Sequence, residues 1–469
     1  MSPTTETRPG IFVAIRDAIR GDSHRDYTQG SIGRAIFLLA IPMVLEMSME
    51  SLFAVVDMFW VAHLGSDAVA TIALTEAVLT LMFAIALGLS MATTAMVARR
   101  VGEKNVDGAA ETATQSILLG LVIAGVLGAA GLYFAADVLR IMGATPSILQ
   151  TGTNYTRVIY GGSASVMLLF LINGVFRGAG DAALAMRALW IANIINILLN
   201  PCLIFGLGPF PKMGVTGSGV GTTIGRTVGV LLQIWYLTQG RSRVVVHLRQ
   251  FRLKLDVMLR LMRLSIGGMF QYFVAVASWI VLVRMAATFG SVAVAGYGVA
   301  LRIVIFALLP SWGMANAAAT LVGQNLGAKQ PDRAEQSVWR AGFYNMVFLG
   351  LVAITFIVFA RPLVSLFTSD TGVISVAVTA LRFFSYGYVF YAWGMVMVQA
   401  FNGAGDTNTP TLINLACYWA FQIPLAWYLS NHTALQVNGV FVAISVAESF
   451  IAVLGMLAFR RGTWKERQV

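Results

Sequence analysis

The chain has 469 residues, of which 58% are hydrophobic and 11% are charged, and its mean hydropathy is +0.76. A soluble domain carries about 25% charged residues, so this composition excludes a soluble protein and indicates one that crosses a membrane many times. The net charge of +11 does not indicate a nucleic-acid partner, because the basic residues lie in loops between apolar runs, where membrane proteins concentrate them.

The chain begins with a polar segment, residues 1–34, that has no secretory signal-peptide pattern. Within it, Ile11, Ile15, Ala18 and Ile19 share one helical face. This pattern is equally compatible with a short helix on the membrane surface and with an unstructured tail. We interpret the segment as a cytoplasmic N-terminal region.

Twelve apolar runs follow, and each is long enough for a membrane-spanning helix, for which about 20 residues suffice. Glycine, proline or charged residues separate them. The predicted helices cover residues 35–62, 68–97, 110–136, 150–176, 182–206, 214–239, 257–289, 292–321, 337–360, 376–401, 409–430 and 438–460.

The positions of the basic residues predict the orientation. If the N-terminus is cytoplasmic, the loops on the inner side hold most of the arginines and lysines, and the outer loops hold only Arg140, Lys212 and Arg361. Cytoplasmic loops carry an excess of these residues. We therefore expect both termini in the cytoplasm and the protein in the plasma membrane of a prokaryote.

Short motifs recur 225 positions apart, as GAGD does at 178–181 and 403–406. The same offset relates residues 101–109 to 326–334, 65–70 to 290–295, and 214–215 to 439–440. A constant offset predicts an all-α polytopic protein whose twelve helices form two pseudo-symmetric six-helix lobes around a central cavity. The predicted units are the N-terminal segment 1–34, an N-terminal lobe 35–239, a basic linker 240–256, a C-terminal lobe 257–460 and a tail 461–469.

The first predicted membrane helix contains three acids, Glu46, Glu50 and Asp57, on one narrow stripe. A carboxylate at membrane depth costs roughly 2.5–3.5 kcal/mol on insertion scales, so three in one helix indicate a function. We expect the stripe to face protein or water and to form an ion or proton site. Glu46 and Glu50 either attract a cationic substrate or form a proton path, or else they cap or pair across the lobe, for example with Arg226 or Arg157.

Several motifs together resemble the multidrug and toxic compound extrusion (MATE) family. They are Ile41-Pro42 and Val56-Asp57 in the first helix, VARRVGEKNVDGA at 97–109, LVGQNLGAKQPDRA at 321–334, and GAGD in each half. The resemblance implies a two-lobed antiporter that exports organic cations or other amphipathic compounds by alternating access, driven by protons or sodium. It also implies that the first helix bends at Pro42 on ion binding, although a static proline kink explains this residue equally well.

The resemblance also implies where the ion binds. Some members carry acids in the seventh and tenth helices, which here hold no acid. The chain is more similar to the branch of DNA-damage-inducible protein F and its archaeal relatives, whose cation site lies in the N-terminal lobe. That resemblance assigns the ion or proton site to Asp57, Asn196, Asn200 and Thr222. Asn200 stands where archaeal relatives have a second aspartate, so the site would hold one negative charge.

The candidate cavity residues flank the acidic stripe or carry aromatic or polar groups in other helices. They are Glu46, Glu50, Met43, Phe53, Tyr160, Phe170, Gln271, Tyr272 and Tyr391. A small organic substrate and the lipid bilayer are the expected partners, nucleic acid is not, and the chain is expected to act as a monomer.

No Walker loop, nucleophile–base pair or metal-ligand cluster occurs in the sequence. We therefore expect no enzyme activity, no cofactor and no metal beyond a sodium ion at Asp57. A flippase for lipid-linked or lipid-like cargo is the alternative, favoured by arginines in or near the membrane. These are Arg157, Arg226, Arg284, Arg302 and Arg382. A channel or receptor is disfavoured by the two-lobed repeat.

Overall fold

The structure, a computed structural model, describes residues 11–21, 25–247 and 252–468, and every regular element in these ranges is a helix. The N-terminal half contains α1 (Ile11–Arg20), α2 (Ile32–Ala62), α3 (Ser66–Gly102), α4 (Val106–Ile141), α5 (Pro146–Gly161), α6 (Ser163–Ala179), α7 (Ala182–Phe205) and α8 (Val215–Thr238). The C-terminal half contains α9 (Leu255–Ala287), α10 (Ser291–Gly327), α11 (Pro331–Val358), α12 (Ala360–Ser365), α13 (Thr371–Tyr386), α14 (Tyr388–Ala404), α15 (Asn408–Leu415), a π-helical turn (Ala416–Gln422), α16 (Ile423–His432) and α17 (Val437–Arg460). Residues 1–10 and 22–24 of the predicted N-terminal segment, residues 248–251 of the predicted linker and residue 469 of the predicted tail lie outside the described ranges.

Among the described residues, nine helical segments are long and apolar enough to cross a membrane, and two bent helix pairs bring the count to eleven. The twelfth span is α8, whose glycines, threonines and Arg226 make it more polar than the others. The predicted twelve-helix, all-α membrane fold is therefore confirmed.

Two predicted spans, 150–176 and 376–401, are each two helices rather than one. α5 and α6 meet at 41°, and α13 and α14 meet at 58°. The breaks fall at Gly162 and Gly387, which are 225 positions apart. Glycine is a poor helix former, and the apolar run continues through it in both halves, so hydropathy alone does not mark the break.

The backbone repeats in the same register as the sequence. Gly65 and Gly290 both have φ of 100°, and Lys104 and Lys329 both have φ of 58°. Positive φ is uncommon for a lysine, so its recurrence at one offset is strong evidence for two equivalent folding units. The predicted pair of pseudo-symmetric six-helix lobes is confirmed.

The two lobes approach each other through two equivalent glycines. A Cβ atom on Gly88 of α3 would lie 2.7 Å from the carbonyl oxygen of Ser265 of α9. A Cβ atom on Gly313 of α10 would lie 2.6 Å from the carbonyl oxygen of Met43 of α2. Glycine lets membrane helices pack this closely. Because the two glycines are 225 positions apart, the same contact is made twice across the lobe boundary.

The end of the bundle at which α3, α10 and α17 finish, called here the tail end, carries further contacts between the lobes. Arg99 of α3 donates from Nη2 to the carbonyl oxygens of Arg467 at 2.7 Å and Ala404 at 3.3 Å. The tail itself is fixed, since Trp464 is fully buried and stacks on Phe459 with ring centroids 4.5 Å apart. The C-terminal segment therefore connects the N-terminal lobe to the C-terminal lobe.

The lysine of the tail is tied to the C-terminal lobe. Lys465 Nζ lies 2.6 Å from a carboxylate oxygen of Glu335 and 3.5 Å from one of Asp332. The hydrogen bond to Glu335 raises the pKa of Lys465 above its ordinary value. The ammonium group therefore stays charged at physiological pH.

The acid of each GAGD motif holds the chain where it leaves that half. Asp181 Oδ2 accepts hydrogen bonds from Ser242 Oγ at 2.6 Å and from the backbone N–H of Arg243 at 2.8 Å. Asp406 Oδ1 lies 3.4 Å from Arg467 Nη2. Asp181 and Asp406 are 225 positions apart, and so are Ser242 and Arg467. The motif thus clasps the segment that follows the sixth span of its own lobe.

The polar N-terminal segment contains a helix, α1, rather than tail alone. Arg187 of α7 donates from Nη2 to the carbonyl oxygens of Ile19, at 2.8 Å, and Arg20. These carbonyls lie at the C-terminal end of α1, where helix hydrogen bonding leaves them unpaired.

Candidate functional site

The acids of α2 face asparagines on α7. Asn193, Asn196 and Asn200 follow a spacing of three and four residues, which places them on one helical face. Asn193 Nδ2 donates to Glu50 Oε2 at 3.1 Å, and Asn200 Nδ2 donates to Asp57 Oδ1. The acidic stripe therefore faces protein, as the sequence predicts.

Asp57 lies between α7 and α8. Its Oδ1 accepts the bond from Asn200 and a second from Ser218 Oγ of α8 at 2.9 Å. Among the described residues, no basic side chain lies within 4.0 Å of it. Sequence reasoning missed Ser218, although it stands four residues before Thr222 and so shares its helical face.

The other two predicted ion-site residues pair with each other. Asn196 Nδ2 donates to Thr222 Oγ1 at 2.8 Å, one helical turn from the Asn200–Ser218 pair. The structure thus brings all four predicted residues into one region, but joins only Asn200 directly to Asp57.

Two oxygens of this region are buried without a partner. Oδ1 of Asn196 and Oδ1 of Asn200 accept no hydrogen bond from any described residue. An unpaired buried acceptor costs about 1–3 kcal/mol, which a cation or an ordered water would remove. Hard cations take carboxylate and amide oxygens as ligands. The donor set of Asp57, Asn196 and Asn200 therefore fits a sodium ion.

Glycines of α8 make this geometry possible. A Cβ atom on Gly221 would lie 2.3 Å from Asn200 Oδ1, and one on Gly225 would lie 2.5 Å from the carbonyl oxygen of Ala192. Gly217 approaches Leu203 in the same way. Small residues four apart let two membrane helices pack backbone to backbone. The oxygen of Asn200 reaches the backbone of α8 because Gly221 has no side chain.

Glu46 has partners on α6. Asn173 Nδ2 donates to Glu46 Oε1 at 3.0 Å, and Arg177 Nη2 lies 3.9 Å from the same oxygen. Glu46 is 1% exposed. Glu46 therefore pairs across the lobe, but with Arg177 and Asn173 rather than with Arg226 or Arg157, because Asn173 and Arg177 stand one turn apart on the helix that packs beside the acid.

Glu46 and Glu50 line a cavity of about 230 Å³ near the lobe boundary, called here the acidic cavity. Its lining is mixed in charge, since Arg177 and Arg226 also reach it. Phe170 and hydrophobic side chains form the remaining wall. The acidic cavity therefore combines acids, bases and an apolar surface.

A second cavity, of about 380 Å³, lies on the side of the C-terminal lobe and is called here the aromatic cavity. Its polar lining includes Gln271, and its aromatic lining includes Trp279, Tyr391 and Tyr418. Tyr272 and Trp312 line both cavities. The two spaces therefore adjoin at the lobe boundary.

Six of the nine predicted cavity residues line one of these cavities: Glu46, Glu50, Phe170, Gln271, Tyr272 and Tyr391. Met43, Phe53 and Tyr160 line neither, so their prediction is corrected. Met43 is 1% exposed, and its backbone packs against Gly313. Tyr160 packs over Gly131, and Phe53 is buried elsewhere on α2. Their sequence positions gave no information on which helix covers them.

Pro42 lies inside α2, which continues from Ile32 to Ala62. A proline has no N–H to donate, so the carbonyl of Leu38 lacks its helical partner. The proposed hinge at this position stays a prediction.

The two lobes differ in charge at equivalent positions. Gln271 stands 225 positions after Glu46, and Asn402 stands 225 positions after Arg177. Gln271 Nε2 donates to Asn402 Oδ1 at 3.1 Å. In the C-terminal lobe, a neutral amide pair thus stands in the positions of the Glu46–Arg177 ion pair, and Leu282 stands in the position of Asp57. At these equivalent positions, the charged side chains occur in the N-terminal lobe and their counterparts in the C-terminal lobe are uncharged.

Comparison with known proteins gives consistent matches over nearly the whole chain. The sequence profile of the MatE family matches residues 42–202 and 269–428, once in each lobe. A probable multidrug resistance protein of Bacillus subtilis, YoeA, is 26% identical and aligns over 94% of this chain and 96% of its own length. An FAD transporter of Shewanella oneidensis is 26% identical over 84% of this chain and 87% of its own.

A solved structure is similar throughout. A multidrug resistance MATE family transporter in an outward-facing conformation superposes with a TM-score of 0.88 at 26% identity. The match covers 94% of this chain and 98% of that one.

Proposed function

Because the chain belongs to the MatE family and resembles proteins named as probable multidrug resistance proteins, we propose that it is a secondary active antiporter. It exports cationic or amphipathic organic compounds in exchange for protons or sodium, by alternating access between the two lobes. The observation that carries the proposal is Asp57, a membrane-embedded carboxylate bonded to Asn200, in a region where the buried amide oxygens of Asn196 and Asn200 accept no hydrogen bond among the described residues.

The ion site is Asp57 with the oxygens of Asn196 and Asn200. Ser218 and Thr222 orient these groups by donating to Asp57 and accepting from Asn196. A carboxylate at membrane depth is costly unless it takes up a proton or a cation, and this cost drives ion binding. Binding changes the charge of α2, the helix that also contacts the other lobe at Gly313.

The acidic cavity receives the organic substrate. Glu50 and Glu46 attract a cation, while Phe170 and Tyr272 contact its apolar body. The protein works as a monomer in the plasma membrane with both termini in the cytoplasm. It needs no cofactor, binds no nucleic acid and catalyses no covalent reaction.

Alternating access separates the lobes at one end and joins them at the other. In this structure the lobes meet at the tail end, where Arg99 reaches Ala404 and Arg467. With the termini in the cytoplasm, these contacts correspond to an outward-facing state, and export requires that they break.

The test uses proteoliposomes with proton and sodium gradients imposed separately and a fluorescent organic cation as cargo. Asp57→Asn removes the charge while keeping shape and should slow gradient-driven transport at least about tenfold, the effect of about 1.4 kcal/mol. Asp137→Asn is the matched control, because Asp137 is an exposed acid paired with Arg140 at 2.7 Å. Transport by Asp57→Asn at the full rate would rule the proposal out.

An anionic cargo is the second candidate, favoured by Arg177 and Arg226 in the acidic cavity. The similarity to an FAD transporter points the same way. The lipid flippase alternative has weaker support, because four of its five arginines, Arg157, Arg284, Arg302 and Arg382, are exposed on the surface of the bundle. In the same vesicles, uptake of FAD or of an anionic lipid in preference to the organic cation would select this candidate.

A further inference from the structure

The aromatic cavity contains one carboxylate, Glu448 of α17, which the proposed ion site and the acidic cavity do not use. Glu448 is 7% exposed. No lysine or arginine lines the cavity within the described residues. A buried carboxylate without a cationic partner is energetically costly, so a mobile cation would stabilise it.

Glu448 is held by a single hydrogen bond among the described residues. Tyr418 donates from its hydroxyl to Glu448 Oε1 at 3.1 Å. Oε2 accepts no hydrogen bond from any described residue, and no basic side chain lies within 4.0 Å of it. One oxygen is therefore fixed by the protein, and the other is left to a ligand.

The backbone is distorted where Tyr418 is positioned. Ala416–Gln422 forms a π-helical turn between α15 and α16. Such turns are rare and occur often at functional sites. Gln422 in the same turn is fully buried, and both of its amide atoms lack a partner among the described residues. The equivalent stretch of the other lobe lies within α7, a regular α-helix, so the distortion is specific to this lobe.

The wall around Glu448 is suited to an organic cation. Trp279, Trp312 and Tyr391 line the cavity together with Tyr418. Aromatic faces attract a cation, most strongly where water is excluded. A volume of about 380 Å³ falls within the usual range for small-molecule sites.

This site is not a copy of the Asp57 site. The position 225 residues before Glu448 is Thr223, and the position 225 residues after Asp57 is Leu282. Each lobe therefore has its own acid on a different helix.

We propose that the aromatic cavity is a second binding site, which takes a monovalent organic cation with an aromatic or bulky apolar body. Glu448 provides the counter-charge, and Tyr418 holds the carboxylate in position. The proposal relies on the proposed function for the cargo to be exported, but the binding step can be measured without transport.

The test measures binding of tetraphenylphosphonium to the purified full-length protein in nanodiscs, with triphenylphosphine oxide as a neutral probe. In a Glu50→Gln background, which weakens the attraction of the acidic cavity for the same cation, Glu448→Gln should weaken binding of the cation at least about tenfold and leave the neutral probe within about twofold. Glu448→Asp keeps the charge and should retain the preference for the cation. Glu111→Gln is the matched control, since Glu111 pairs with Lys254 at 2.5 Å and lines neither cavity.

Unchanged affinity for the cation in Glu448→Gln would overturn the proposal, and so would equal losses in the Gln and Asp variants, which would indicate shape rather than charge. Asp57→Asn separates the two proposals, because it should abolish coupled transport and leave cation binding intact. If binding depends on Glu448 while no gradient drives transport in any variant, the proposed function fails and the binding site stands.

Discussion

Glu46, Glu50 and Asp57 each receive a hydrogen bond from an asparagine amide of a neighbouring helix. Only Glu46 also has a basic partner among the described residues, Arg177 at 3.9 Å. The three acids of one stripe therefore have different roles. Glu46 is paired with α6 and also lines the acidic cavity, Glu50 lines that cavity without a basic partner among the described residues, and Asp57 also has no basic partner among them.

Arg177→Asn should destabilise the protein, because it leaves Glu46 buried without its cation. Breaking a buried pair costs about 3–5 kcal/mol in proteins. The double variant Glu46→Gln with Arg177→Asn should recover most of that loss, since it recreates the Gln271–Asn402 pair of the other lobe. Thermal unfolding in detergent measures both, and a double variant as unstable as the single one would contradict the argument.

At the residue scale, the sequence predicted Asp57 and its contact with Asn200, but missed Ser218, Asn173 and Asn193. The helical spacing of the asparagines on α7 is visible in the sequence, and Asn193 is the first of these asparagines. Ser218 could also have been found, because it shares the helical face of Thr222. Asn173 could not, because the rotation of α6 about its axis depends on packing against other helices. The sequence alone shows which residues share one face of a helix. The packing of the helices decides which residues that face contacts.

At the element scale, α7 and α8 form one unit because glycines recur every fourth residue of α8. The sequence predicted all twelve spans, since apolar length alone indicates them. It did not predict the breaks at Gly162 and Gly387 or the π-helical turn. These features preserve the apolar run and change only its direction or its hydrogen-bond register.

Gly221→Ala should impair the ion site without removing any of its ligands. The added Cβ atom would lie 2.3 Å from Asn200 Oδ1, and overpacking of this kind costs about 1–3 kcal/mol. We expect gradient-driven transport to fall about fivefold or more. Gly350→Ala is the control, because a Cβ atom there meets nothing within 4 Å. Equal transport by the two variants would show that the α7–α8 spacing is unimportant.

At the scale of the whole molecule, two lobes meet at Gly88 and Gly313 and are further joined by the C-terminal tail. The tandem repeat was predicted from motifs at a constant offset, and the lobe contacts follow the same offset. The contacts between the lobes at the tail end could not be predicted, because they depend on hydrogen bonds from Arg99 to backbone carbonyls 305 and 368 positions away.

Arg99→Met should loosen the tail end and expose the acidic cavity from that side. A cysteine at Asn316, which lines the cavity, would report this by its reaction with a membrane-impermeant maleimide. The native Cys202 and Cys417 are replaced first. We expect labelling from the tail side to become about tenfold faster, and Arg100→Met, which disrupts only the 2.8 Å surface pair with Glu103, to leave it unchanged. No acceleration in Arg99→Met would show that other contacts hold the lobes together.

The clasp formed by each GAGD acid has a consequence for how the polypeptide tolerates being cut. Asp181 accepts hydrogen bonds from Ser242 and Arg243, in the segment that follows α8, and so holds this segment on its own lobe. Near the C-terminal end of the linker, the amide of Gln115 in α4 pairs with the backbone of Arg252 and Lys254. Both sides of a nick between 247 and 252 would thus keep their anchors. We expect two separately synthesised fragments to associate in the bilayer and to assemble into the complete transporter.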